Sequence, residues 1–186
     1  PAGVLEISAQ PPPDGWRGSE GCSFDISLPG AAGVELHTSN GAIKLAGMSG
    51  EGKLDTRNGS ISISRHDGGV DADTSNGRVE ATQVSGPVRV RTSNGSVTLS
   101  LADAAPGPVQ VRTSNGAVTL ELSHAFRGEL SVDTSNGSIT LPRSAPTGVT
   151  FQTRQSTHHA TLVIGEASAA STIDTSNGSV TIRYAD

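Results

Sequence analysis

The sequence predicts an all-β fold, a single-chain parallel β-solenoid (β-helix) of about eight coils with 18–22 residues in each, and three observations carry the prediction. A tetrad of Thr, Ser or Arg, Asn and Gly begins at Thr38, Thr56, Thr74, Thr92, Thr113, Thr134 and Thr175, and a degenerate copy, Thr153-Arg154-Gln155-Ser156, stands between the last two. Successive starts are 18, 18, 18, 21, 21, 19 and 22 residues apart. Apolar and polar residues alternate on both sides of each tetrad, as in Val88/Val90 before Thr92 and Val97/Leu99 after Gly95, which means two short half-buried strands per unit. Pro29, Pro87, Pro106, Pro108, Pro142 and Pro146 all fall between units, where a missing N–H breaks no ladder. Length variation sits there too, so the loops absorb insertions while the strand–turn–strand unit stays constant.

Taken in order, residues 1–33 form a non-repeat segment. Val4-Leu5-Glu6-Ile7-Ser8 reads as a short strand, and Gln10 to Gly15, with three consecutive prolines, as a stiff extended linker. Residues 34–186 form the repeat domain. Its inward columns are rich in Val, Ile and Leu, which suit a pleated half-buried surface. Asn-Gly between alternating strands also signals hairpins, but a meander of hairpins leaves the repeated Thr and Ser unexplained. Stacked corners explain all four residues, because identical polar side chains about 4.8 Å apart hydrogen-bond along the axis. The expected corner ladder is therefore Thr38, Asn40, Gly41, Thr56, Asn58, Gly59, Thr74, Asn76, Gly77, Thr92, Asn94 and Gly95. It continues through Thr113, Asn115, Gly116, Thr134, Asn136, Gly137, Thr175, Asn177 and Gly178. Gly and Asn suit such a corner because they tolerate left-handed backbone.

The column before each Thr reads His37, Asp55, Asp73, Arg91, Arg112, Asp133, Gln152 and Asp174. Stacking in chain order sets Asp73 against Arg91, Arg112 against Asp133, and Asp55 against Asp73. Such exposed pairs contribute only a few tenths of a kcal/mol each, of either sign.

Composition agrees with a narrow aliphatic core: Gly 23, aromatic residues 3%, and only Lys44 and Lys53 as lysines. Net charge is −5 without charge blocks, so neither nucleic acid nor an anionic membrane is the expected partner, and no stretch is long enough to span a bilayer. Cys22 is the only cysteine, so no intrachain disulfide forms, and a buried inert thiol is expected. The chain starts at Pro1 without Met, which fits a removed export signal and an extracellular or cell-surface location.

Phe24-Asp25-Ile26-Ser27-Leu28-Pro29, leading into Val34-Glu35-Leu36-His37-Thr38-Ser39-Asn40-Gly41-Ala42-Ile43, resembles the bacterial adhesin-domain family, and the likeness runs over residues 24–186. The resemblance implies a parallel β-solenoid on exported proteins, without enzymatic activity and without catalytic or binding residues to transfer. The segment Thr153 to Ile164 departs from the family pattern.

No phosphate loop, nucleophile elbow or metal-ligand spacing occurs, so no catalytic residue, metal or cofactor is expected. His158-His159, inside the degenerate copy, is the candidate ligand contact, since rule-breaking positions are where sites collect. Asp67-Gly68-Gly69-Val70-Asp71-Ala72-Asp73 reads as a turn with solvated carboxylates. Trp16 and Tyr184, the aromatics available to stack on a sugar, sit at the chain's extremities. Ser96/Thr98, Ala117/Thr119, Ser138/Thr140 and Ser179/Thr181 place small hydroxyls on one outward face similar to ice-binding threonine arrays, with the degenerate copy interrupting them before Thr181.

The last copy, Ser171 to Ile182, is regular and lacks an atypical cap, so it is expected to leave an open edge. Val4, Leu5 and Ile7 are the candidate strand to pair with that edge on a neighbour, head to tail. The alternative is that residues 1–33 cap their own solenoid. The expected function is a non-enzymatic structural or adhesive cell-surface module, self-assembling or bound to a surface glycan or protein. The alternatives are a monomeric ligand-binding module (glycan or ice-binding-like) and a polysaccharide-active enzyme.

Overall fold

Alternating apolar residues on either side of every tetrad become paired strands. The computed structural model describes residues 32–105, 107–144, 149–165 and 170–185, and among these there is no helix. Val4, Leu5, Ile7, the Pro-rich stretch 10–15, Trp16 and Cys22 lie outside the described residues. In chain order the strands are β1 Gly33–Thr38, β2 Ile43–Ala46, β3 Glu51–Thr56, β4 Ile61–His66, β5 Val70–Thr74, β6 Val79–Val84, β7 Val88–Thr92 and β8 Val97–Leu101. They continue with β9 Val109–Thr113, β10 Val118–Leu122, β11 Gly128–Thr134, β12 Ile139–Thr140, β13 Phe151–Gln155, β14 His159–Ile164, β15 Ala170–Thr175 and β16 Val180–Tyr184.

Two sheets result, with orders β1-β3-β5-β7-β9-β15-β11-β14-β13 and β12-β16-β10-β8-β6-β4-β2. Every pairing is parallel except those of β14 with β11 and with β13. This largely parallel two-sheet arrangement is the kind a β-solenoid requires. The tetrads stay in register throughout, Thr38↔Thr56, Thr56↔Thr74 and Thr74↔Thr92 among them.

Three expectations change here. The degenerate copy is not an eighth strand–corner–strand unit: β13 and β14 form an antiparallel hairpin, with Gln155 opposite Ala160. The last unit is not at an end: β15 lies between β9 and β11, and β16 between β10 and β12. β15 is therefore paired on both sides, and β16 lacks a strand partner only on its β12 side over Ile182–Tyr184. The order is thus units one to five, then the last unit, then the sixth, then the hairpin. The physical cause lies in the corners. Ser156 occupies the place of the corner glycine, and a Cβ there is what the stacked column excludes at Gly59, Gly77, Gly95, Gly116, Gly178 and Gly137. The degenerate segment cannot join the column, so it closes the first sheet as a reversed strand pair.

The inward residues of both sheets form one buried cluster of Val, Ile, Leu and Ala, with Ile63, Leu99, Leu120, Leu130, Leu162, Ile173 and Ile182 all buried. Burying each such side chain contributes roughly 1.5–3 kcal/mol. The loops carrying the length variation also feed the core: Ala105 and Phe126 are fully buried, and Phe126 packs against Gly107. One aromatic therefore does enter the aliphatic core, at the turn where the chain skips a rung.

Candidate functional site

The corner column is built as the sequence demands. Asn58 Nδ2 donates to Asn40 Oδ1 at 2.8 Å, Asn76 to Asn58, Asn94 to Asn76 and Asn115 to Asn94 at 2.9 Å. It runs on through the reordered units, where Asn177 donates to Asn115 at 2.8 Å and Asn136 to Asn177 at 2.9 Å. The Thr side chains turn inward and each donates to the corner carbonyl of the rung before it: Thr56 to Gly41, Thr74 to Gly59 and Thr134 to Gly178 at 3.0 Å. Thr92, Thr113 and Thr175 do the same to Gly77, Gly95 and Gly116 at 3.3 Å. A buried hydroxyl thereby meets a backbone acceptor in every rung after the first, where Thr38 Oγ1 instead accepts from Gly41 N–H at 3.3 Å.

The corner glycines are required for a different reason from the expected one. None of the corner Asn or Gly residues has positive φ; among the described residues the positive-φ glycines are Gly47, Gly50, Gly68, Gly107, Gly128 and Gly165. A Cβ on Gly77 would instead overlap the carbonyl of Gly59, and one on Gly178 the carbonyl of Gly116. Close backbone approach, not left-handed geometry, demands glycine. The second tetrad residue is exposed, which is why Arg57 substitutes for Ser without breaking the column.

Above the Thr column, the outward charges now read, from β1 across to β14, His37, Asp55, Asp73, Arg91, Arg112, Asp174, Asp133, His159. They pair as His37–Asp55 at 3.2 Å, Asp73–Arg91 at 3.5 Å, Arg112–Asp174 at 3.4 Å and Asp133–His159 at 2.8 Å. The expected Arg112–Asp133 contact is replaced because the last unit stands between them. At the first rungs, the 2.6 Å hydrogen bond from Lys53 to Glu35 lowers the carboxyl's pKa and raises the ammonium's.

The reordering places His158 and His159 over an open depression of about 480 Å³, lined by Arg112, Asp133 and Asp174 together with corner residues Ser114, Ser135 and Ser176. His159 Nδ1 lies 2.8 Å from Asp133 Oδ1, and its Nε2 lies 3.2 Å from Thr161 Oγ1. An ionised carboxylate only accepts, so the network places the proton on Nδ1 and directs Nε2 toward the hydroxyl. The carboxylate–imidazole–hydroxyl order is that of an oriented base. However, β14 is hydrogen-bonded on both edges, so its backbone N–H groups are engaged in the sheet. His158 contributes its carbonyl, which accepts from Thr134 N at 2.9 Å. Among the described residues, no group of three or more His, Cys, Asp or Glu is placed to hold a metal ion.

Two further features were not anticipated. His66 is buried, its Nε2 facing the carbonyls of Gly50 at 2.9 Å and Gly69 at 3.2 Å, while Nδ1 is buried without a partner. A histidine ending an otherwise regular strand carries no sequence signal for this. The outward threonines also gain continuity: Thr98, Thr119, Thr181 and Thr140 occupy neighbouring strands in register. The expected interruption before Thr181 does not occur, since the degenerate copy has left this sheet.

Among known families, the one described as "Domain of unknown function (DUF7330)" matches residues 44–186, and its description names neither an adhesin nor a repeat. No curated protein and no solved structure matches the chain.

Proposed function

We propose, for a chain that belongs to the domain family of unknown function DUF7330, a non-enzymatic structural or adhesive role as an exported β-solenoid module. The observation that carries this reading is the seven-rung corner column. Its repeated Thr, Asn and Gly are committed to rung-to-rung bonds, so the feature the sequence repeats most serves rigidity. A stiff parallel stack presents its outer faces at a fixed spacing, which suits display or spacing of contacts at a cell surface. Polar residues on β13, where Thr153 and Gln155 share the inward side with Leu162 and Ala160, blunt that end of the stack, and Gln155 donates to the Ile139 carbonyl at 2.8 Å. Blunted edges resist strand addition, so we propose units that do not grow into filaments from that end. Negative-stain electron microscopy of the purified protein tests this: short discrete particles are expected, and fibres overturn it.

A second reading is favoured by the depression beside His159. An oriented imidazole, a guanidinium and serine hydroxyls form a hydrogen-bonding surface suited to a polar ligand such as a surface glycan. A glycan array is the test. Binding lost in His159→Ala supports the ligand-binding module, whereas hydrolysis of any polysaccharide overturns the non-enzymatic reading.

A further inference from the structure

Asparagine followed by glycine is prone to spontaneous deamidation, because glycine leaves the next backbone nitrogen unhindered beside the side-chain amide. The chain carries this dipeptide at Asn40, Asn58, Asn76, Asn94, Asn115, Asn136 and Asn177, and all these side chains are exposed. Solvent reaches each of them, so restraint rather than burial separates one from another. Asn40, in the first corner, follows residues outside the described ones, and the comparison lies among the later corners. Asn58, Asn76, Asn94, Asn115 and Asn177 each donate to one neighbouring amide and accept from the other. Their corners are also gripped through the backbone by the next rung. At the fifth corner, the Ser114 carbonyl accepts from Asn177 N–H at 2.8 Å and the Gly116 carbonyl from Thr175 Oγ1 at 3.3 Å.

Asn136 stands apart. Its Nδ2 donates to Asn177 at 2.9 Å and its N–H to the Ser176 carbonyl at 2.8 Å, but no corner follows it. The hairpin bonds to either side of this corner and not to it: Thr134 N–H donates to the His158 carbonyl, and Gln155 Nε2 to the Ile139 carbonyl. Among the described residues, no donor meets the Ser135 carbonyl, Asn136 Oδ1 or the Gly137 carbonyl.

We propose that Asn136 is a modification site, the first of these later corners to deamidate, with water as the co-reactant. The Gly137 nitrogen, its proton lost to solvent base, bonds to Asn136 Cγ. The Cγ–Nδ2 bond breaks and Nδ2 leaves as ammonia. Water then opens the cyclic imide at either carbonyl, giving aspartate or its β-linked isomer, and no electron is transferred. Closing that ring requires the side chain to leave its ladder partner and the corner backbone to turn, which is a local opening. The other five later corners must release bonds on both sides to open, whereas Asn136 releases them on one. Either product replaces a donor by an acceptor-only carboxylate against Asn177 Oδ1, and the β-linked one adds a main-chain atom at the corner. The stack thus loosens with age from the hairpin end, beside Ser135 and the depression it lines.

The sequence supplies an internal control, since Asn136 and Asn177 lie in the same hexapeptide, Asp-Thr-Ser-Asn-Gly-Ser. Cleavage after Lys and Arg also places every corner Asn on a separate peptide. Folded full-length protein is held in mildly alkaline buffer at physiological temperature and sampled by peptide mass spectrometry. Asn136 is expected to convert about tenfold faster than Asn177; equal rates, or a slower Asn136, overturn the proposal. In concentrated urea the two rates are expected to converge. A difference that persists there belongs to the local sequence and overturns the role of the column. In Asn177→Ala, Asn115 keeps its bond to Asn94 and loses the one it accepts, so its conversion is expected to accelerate about fivefold. An unchanged Asn115 rate removes the ladder as the source of protection and overturns the proposal. Surface display and glycan binding are untouched by any of these results.

Discussion

The five units from Gly33 to Leu122 stack in the order in which they are written, whereas from Gly128 onward space and chain part company. Both regions use the same tetrad, the same alternating strands and the same hydrogen bonds. Asn94 and Asn115 join rungs that follow one another in the chain, while Asn115 and Asn177 join rungs separated by a whole unit and a hairpin, at distances of 2.9 and 2.8 Å. A repeat of this kind specifies what a rung must look like to its neighbours and says little about which rung the neighbour is. Identity of neighbours is set by where the repeat fails, at Gln155 and Ser156.

The largest test of that view lies at the glycines. Gly178→Ala places a Cβ against the Gly116 carbonyl inside the reordered stack and is expected to destabilise the protein by about 3 kcal/mol or more in urea unfolding. Gly41→Ala, where the nearest atom is Thr38 Oγ1 at 3.0 Å, should cost about 1 kcal/mol or less. Equal losses would mean that the column is not stacked as described. Next comes the buried hydroxyl. Thr175→Val removes the bond to the Gly116 carbonyl and leaves that acceptor unpaired, for an expected loss of about 1.5 kcal/mol. Thr38→Val, at the first unit, should lose about 0.5 kcal/mol.

Asn177 both donates to Asn115 and accepts from Asn136, while Asn40 only accepts from Asn58. Asn177→Ala should therefore cost about 1 kcal/mol, about twice the loss at Asn40→Ala, because these ladders are exposed. If the last unit stood at the end of the stack, the two variants would behave alike. The smallest effect belongs to Tyr184, whose buried hydroxyl has no partner. Burial raises its phenol pKa, with nearby Arg127 opposing the shift. The stabilisation linked to that raised pKa is intact below the ordinary value of about 10 and is lost as pH rises through the folded one. Tyr184→Phe is expected to leave stability at pH 7 unchanged while flattening the decline above about pH 10; an unaltered alkaline limb would remove Tyr184 as its source.

Much of the candidate site was legible residue by residue. The Thr, Asn and Gly columns, the alternating core and the Asp73–Arg91 pair follow from the period alone. The role of glycine was legible as an identity but not as a cause, since a tetrad does not reveal whether its Gly supplies an unusual φ or only space. His66, Phe126 and the His159–Asp133 pair were not legible. Each depends on what lies across a turn or two rungs away, and no local spacing records that.

The sequence by itself determined the chemistry of a rung: β-branched inward columns, a hydroxyl for the carbonyl beneath, an amide for the amide beneath, and no Cβ where backbones meet. Only the tertiary structure decided the order of rungs and the closing of one end. Near-identical corners pair equally well with any of their kind, so local bonding energies cannot rank the arrangements. The ranking comes from excluded volume at Ser156, which sends one segment to the edge as a reversed pair, and from the burial gained when Ile173, Val180 and Ile182 fill the space left behind.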